Sequence, residues 1–341
     1  MTNTNTNINI ESSKTLILPT ELFKKLPMTK SVNDFVEKSR NEVRNILDKK
    51  DERMLFIVGP CSIHNVEEAK KYARELYKIA KQLKDKIMIV MRVYFEKPRT
   101  TIGWKGLVND PDLNGTFNVN KGLFKARELL LYLNELGLPC GCEFLDTITP
   151  QYISDCITWG AIGARTVESQ THRQLVSGMS MPIGFKNATS GNIQVAKEAI
   201  ISASMPHCFM GITVSAEPAI FTTKGNKDTH IILRGGNDGP NYYKHITEPI
   251  KDIPVMVDCS HGNSLKNYKN QHKVFNEIIR QRFNYGNKNI IGLMLESNIN
   301  EGKQSLSNNP EALRYGVSIT DSCIGLQETI SLLEYAYKYN I

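Results

Sequence analysis

Charged residues in this sequence stand singly at the ends of short apolar runs, where folding could bring them together. IMIVMR ends in Arg92, CGCE in Glu143, IGAR in Arg165, GFK in Lys186, HIILR in Arg234 and GLMLE in Glu296, and VMVDCSH leads to His261. Arginine's planar fork and lysine's point charge suit phosphate and carboxylate groups. Several cations buried together are costly unless an anion joins them. The loop directly after Arg92, YFEKPRTTIGWKG, adds Lys97, Arg99 and Thr100. The set predicts a small polyanion, a phosphorylated carboxylate, with a second phosphate as the natural guest of the loop. Any one of these residues also reads as a strand meeting water or a solvated basic loop; the argument for chemistry is their recurrence.

A second constellation mixes sulfur, nitrogen and oxygen. Cys61 follows the first apolar run, His261 and Glu296 stand at later run ends, and Asp321 lies in YGVSITDSCIG after the last. Thiolate, imidazole and two carboxylates suit a divalent metal that keeps room for an outside ligand. Spacing adds nothing to this, because no CxxC or HExxH pattern is present, and each residue alone reads as structural. The seven cysteines are odd in number and no basic-then-apolar leader precedes them, so free thiols and a cytoplasmic address are expected. Cys140 and Cys142 read as alternating residues of a strand.

The elements that must position these groups follow from the hydropathy pattern. The 341 residues, 40% hydrophobic and 23% charged, suffice for a large globular core. No apolar run reaches the roughly 18 residues of a membrane span. The formal charge of +7 comes without a Lys/Arg-rich run, so neither a membrane nor a nucleic-acid partner is expected. Residues 1–15 read as a polar arm, and SVNDFVEKSRNEVRNIL as a helix with Val32, Phe35, Val36, Val43, Ile46 and Leu47 near one face. From residue 55, strand-like runs apolar on both faces alternate with helical patterns, which argues for a parallel sheet. Eight such units predict a closed (β/α)8 TIM barrel, with a doubly wound open sheet as the alternative. A ninth run is extra. TVSAEPAIFTTKGNKDTHIIL, with its Gly-Asn turn, predicts a β-hairpin inserted near the sixth strand, at about 212–235. The expected division is an N-terminal extension over residues 1–50, serving oligomerisation or regulation, and a catalytic barrel over 51–341. In such barrels the strands' C-terminal ends form the active mouth, where the charged residues above would meet.

Several segments resemble a known family. GPCSIH (59–64), RVYFEKPRTTIGWKGLVNDP (92–111), EFLDTITPQY (143–152), WGAIGARTVESQTHR (159–173), GFKNATSG (184–191), HIILRGG (230–236), DCSHGNS (258–264), GLMLESNINEG (292–302) and SITDSCIG (318–325) are similar to class I 3-deoxy-D-arabino-heptulosonate 7-phosphate (DAHP) synthases of the feedback-regulated microbial and fungal subtype. The resemblance spans nearly all of residues 50–335. It implies condensation of phosphoenolpyruvate with erythrose 4-phosphate, the first step of the shikimate pathway. Cys61, His261, Glu296 and Asp321 would bind one divalent metal (Mn, Fe, Co or Zn). Arg92, Lys97, Arg165, Lys186 and Arg234 would hold phosphoenolpyruvate, and Lys97, Arg99, Thr100 and Asp321 erythrose 4-phosphate. Lys97, Glu143, His261 and Asp321 would carry the catalysis. An aromatic amino acid, with phenylalanine favoured by Ser180, would bind at Pro150, Gln151, Leu175, Met179, Ser180, Phe209 and Ile220. A homodimer or homotetramer is implied. The competing readings are a 3-deoxy-octulosonate 8-phosphate synthase-like enzyme and a non-catalytic aromatic-amino-acid sensor.

Overall fold

The computed structural model describes residues 5–99, 101–307 and 310–339. In chain order the helices are α1 (Pro19–Lys25), α2 (Lys30–Leu47), α3 (Val66–Leu83), α4 (Val119–Leu136), α5 (Pro150–Ile153), α6 (Gln170–Ser177), α7 (Gln194–Ser204), α8 (Lys244–Thr247), α9 (Gln271–Phe283) and α10 (Leu326–Tyr339). The strands are β1 (Met54–Gly59), β2 (Ile87–Arg92), β3 (Cys140–Glu143), β4 (Trp159–Ile162), β5 (Ile183–Lys186), β6 (Cys208–Ile212), β7 (Pro218–Thr222), β8 (Thr229–Leu233), β9 (Val255–Asp258), β10 (Ile290–Asn298) and β11 (Ile324–Gly325).

β1, β2, β3, β4, β5, β8, β9 and β10 pair in that order, all parallel, and β10 pairs back to β1. The sheet closes into a (β/α)8 barrel. Every residue of these eight strands is buried, as strands with an interior on one face and helices on the other require. The two-residue β11 pairs in parallel with the end of β10.

The inserted hairpin lies elsewhere than the sequence suggested. β6 leaves the barrel and pairs antiparallel with β7, so the hairpin occupies Cys208–Thr222 instead of 212–235. HCFMGITV is thus the run outside the barrel. Gly225-Asn226 is not the hairpin's turn. Gly225 sits at φ 84°, and the Asn226 amide donates to the carbonyls of Met179 and Met181, steering the chain into β8. The run AIGARTV also splits: the strand stops at Ile162 and Arg165 lies in the turn beyond it.

The N-terminal extension is part of the barrel's packing. The Thr29 hydroxyl caps α2 by accepting from the Val32 N–H at 3.3 Å. Val43, Ile46 and Leu47 of α2 join one apolar cluster with Leu55, Ile57, Met88, Val90, Trp159 and Ile232 from the strands. Phe35 is only half-buried.

Candidate functional site

Strand register does most of the assembly. Gly59 at the end of β1 lies opposite Glu296 of β10, which puts Cys61, two residues on, beside that carboxylate. Arg92, Glu143 and Lys186 are the final residues of β2, β3 and β5, and Arg234 directly follows β8. They surround a cavity of about 310 Å³ together with Lys97, Arg99, Arg165, His261 and Asp321. Thr100 lies outside the described residues.

The cations in this cup fall into two sets. Arg92 is fully buried: its Nε donates to the Pro60 carbonyl at 3.0 Å and its Nη2 to Glu296 Oε1 at 2.8 Å. Lys186 Nζ stands 3.2 Å from Asp258 Oδ2 and 4.0 Å from Glu143 Oε2. Arg99 and Arg165 are exposed, Arg234 is half-buried, and none of the three forms an ion pair among the described residues. Burial and the charge of Arg165 pull Arg234 below the ordinary arginine value, against the attraction of Asp258. The mouth thus has positive charge to spare, which a bound polyanion would neutralise. Gly163 leaves the space that Glu143 uses, since a Cβ there would collide with Glu143 Oε1.

One wall of the cup is rich in metal-ligand atoms. Donor atoms of Cys61, Glu296 and Asp321 all lie within 4.8 Å of one another. Cys61 Sγ is 3.8 Å from Asp321 Oδ2, and His261 Nε2 is 3.8 Å from Glu296 Oε1. Ligands around a tetrahedral ion sit roughly 3.3–3.8 Å apart, so a small contraction would accommodate a divalent metal. His261 borders this trio on the Glu296 side. Its Nδ1 stands 2.8 Å from Asp258 Oδ2, although neither atom makes a hydrogen bond among the described residues. His261 also adopts a left-handed backbone, φ 52°, uncommon outside glycine and often retained at functional sites. Burial and the charges of Glu296 and Asp321 push the Cys61 thiol up, outweighing Lys97 and Arg92, so a metal would have to displace its proton. Burial would raise the Glu296 carboxyl, but His261, Arg92 and Lys97 prevail and hold it at about 2. Lys97 Nζ donates to the Cys61 carbonyl at 3.1 Å and to its Sγ at 3.2 Å.

A second, larger cavity of about 800 Å³ opens between the hairpin and α5–α6. Pro150, Gln151, Leu175, Met179, Ser180 and Phe209 line it. Ile220 does not: it is 74% exposed, and Phe221, its neighbour along β7, lines the cavity instead. One buried carboxyl group lies between residues of the two cavities. Glu96, next to Lys97, accepts from the Thr149 hydroxyl at 3.1 Å and from backbone N–H groups of Leu145 and Asp146, at the start of the segment Thr147–Gln151 that lines the second cavity.

Asp258, Tyr94, Glu96 and Ser260, whose hydroxyl donates to Glu296 Oε2 at 2.9 Å, were not legible as site residues. For Asp258 a signal existed, since it ends the strand run that leads to His261.

Comparison with known proteins agrees with this geometry. A family model described as "DAHP synthetase I family" matches residues 28–334. The chain is 50% identical over 337 residues to the phospho-2-dehydro-3-deoxyheptonate aldolase, Phe-sensitive, of Escherichia coli K12, which covers 96% of this chain and 95% of that protein. It is 46% identical over 340 residues to the Tyr-sensitive enzyme of the same organism, covering 97% and 95%. Among solved structures, the phospho-2-dehydro-3-deoxyheptonate aldolase of Francisella tularensis SCHU S4 superposes with a TM-score of 0.94 at 49% identity, covering 97% of this chain and 98% of that one.

Proposed function

The chain belongs to the DAHP synthetase I family, and on that premise we propose how its barrel mouth joins phosphoenolpyruvate to erythrose 4-phosphate. It is a condensing enzyme, a DAHP synthase. Its reaction consumes both substrates and water and yields DAHP and phosphate.

Arg92, Lys186, Arg165 and Arg234 hold the phosphate and carboxylate of phosphoenolpyruvate, and Arg99, with Thr100, takes the phosphate of the tetrose. Fixing both reactants in one cup turns a bimolecular encounter into an oriented attack. The enol carbon adds to the aldehyde, and the oxygen that becomes negative takes a proton from Lys97 Nζ. Carbon 2 of the enolpyruvate gains positive character and is captured by water, which Glu143 orients and deprotonates. The tetrahedral adduct then loses phosphate by C–O cleavage while the arginines stabilise the departing charge. Cys61, His261, Glu296 and Asp321 would hold a divalent metal, manganese, iron, cobalt or zinc, which when bound supplies a Lewis acid for the aldehyde oxygen.

The observation that carries this reading is the convergence of three arginines without an ion pair among the described residues and two buried lysines beside the Cys61–Glu296–Asp321 wall. A phosphate-release assay tests it. Metal-stripped protein should be inactive and manganese should restore it, with erythrose 4-phosphate but not arabinose 5-phosphate as co-substrate. Turnover with the five-carbon sugar alone, or release that ignores metal, would contradict it.

Regulation belongs to the same proposal. The second cavity receives an aromatic amino acid, phenylalanine by preference, and its occupancy is felt at Lys97 through Glu96. Met210 and Ile220 face each other across the hairpin at 88% and 74% exposure, which suits a subunit contact in a homodimer or homotetramer. Among the described residues no helix is long and apolar enough to cross a membrane.

A further inference from the structure

On the reading above, Arg92, Lys97 and Lys186 must stay converged before any anion arrives, although like charges at close range repel. Each has its own anchor: Glu296 for Arg92, Cys61 for Lys97, Asp258 for Lys186. What they share is the ring of Tyr94, two residues beyond the end of β2 and completely buried. The Arg92 guanidinium carbon lies 3.5 Å from the ring centroid, a stacking distance. Lys97 Nζ lies at 5.9 Å and Lys186 Nζ at 6.0 Å. Among the described residues no other ring takes three cations. The Tyr94 hydroxyl has no hydrogen-bond partner among those residues, so no hydrogen bond of its own fixes it to the cup. An aromatic face carries negative quadrupole charge, and its pull on a cation is strongest where water is excluded.

We propose that Tyr94 is a positioning residue, whose aromatic face holds Arg92, Lys97 and Lys186 in the arrangement that receives the phosphate and carboxylate of phosphoenolpyruvate. The assignment deepens the enolpyruvate reading and rests on it.

The test removes face charge stepwise with only a small increase in ring size, by placing phenylalanine, trifluorophenylalanine and pentafluorophenylalanine at position 94. Phenylalanine should keep KM for phosphoenolpyruvate within about twofold, the pentafluoro ring should raise it about tenfold, and the trifluoro ring should fall between. KM for erythrose 4-phosphate should change less than KM for phosphoenolpyruvate, because of the residues assigned to the tetrose only Lys97 lies on the Tyr94 ring among the described residues. Thermal midpoints report that each variant is folded, and Tyr94→Leu, if folded, should match or exceed the pentafluoro loss. A flat fluorine series would overturn the proposal, as would a phenylalanine variant as impaired as the pentafluoro one, since a purely steric or hydroxyl role gives those results. If the unmodified enzyme consumes no phosphoenolpyruvate, the site reading and the proposal fall together; if it does and the series is flat, only the role of Tyr94 falls.

Discussion

Lys186 and Arg165 are both assigned to phosphoenolpyruvate, yet they live in different dielectric surroundings. Lys186 is 3% exposed and paired with the wholly buried Asp258; Arg165 is exposed and forms no ion pair among the described residues. Removing one partner of a buried pair strands the other charge, at a cost of about 3–5 kcal/mol, whereas an unpaired surface arginine contributes little to folding. Arg165→Ala should therefore raise KM for phosphoenolpyruvate with its thermal midpoint unchanged, while Lys186→Ala should weaken substrate use and lower the midpoint by several degrees. Parallel kinetics and thermal melts check the contrast, and equal midpoints would contradict the burial argument. Residues with charge at a run end could be found by reading the chain. Asp258 carried that same signal at the end of β9 and was passed over, whereas Tyr94 escaped because its importance is a matter of what it touches, three cations. Ile220 failed for the converse reason, since the face a strand residue takes depends on pairing that the chain alone does not show.

At the scale of elements, the segment after β2 and the segment before α5 are tied by Glu96. Burial and the neighbouring Asp146 raise its carboxyl to about 8, against the lowering effect of the Thr149 hydroxyl and the Leu145 and Asp146 N–H groups. A carboxyl held above its ordinary 4.5 favours the protonated fold, so this stabilisation is full below pH 4.5 and is lost as pH rises through about 8. Glu96→Gln lacks that titration. Its thermal midpoint should gain on the wild type as pH rises from 4.5 to 8, and a pH-independent difference would contradict the assignment. Across the same tie lies the second cavity, where Ser180→Gly should blunt phenylalanine inhibition and leave turnover largely intact; inhibition curves with and without the substitution measure it. The barrel strands were legible because burial on both faces writes continuous apolar runs. The hairpin's limits were not, because Gly225-Asn226 has the composition of a hairpin turn while serving to redirect the chain.

At the scale of the molecule, the extension before residue 50 and the barrel share a core through α2. Truncating Ile46 to alanine should cost about 2–5 kcal/mol and lower one cooperative transition for the whole chain; a separate early transition in calorimetry would show that α2 folds apart. The same closed barrel brings Cys61, Glu296 and Asp321, distant in sequence, within reach of one ion beside the cationic cup. Cobalt(II) substitution tests that claim most directly. A thiolate-to-cobalt charge-transfer band should be present, disappear in Cys61→Ala and shift when phosphoenolpyruvate is added. A cobalt-loaded protein with no such band, or a band that Cys61→Ala and phosphoenolpyruvate both leave unaltered, would contradict it.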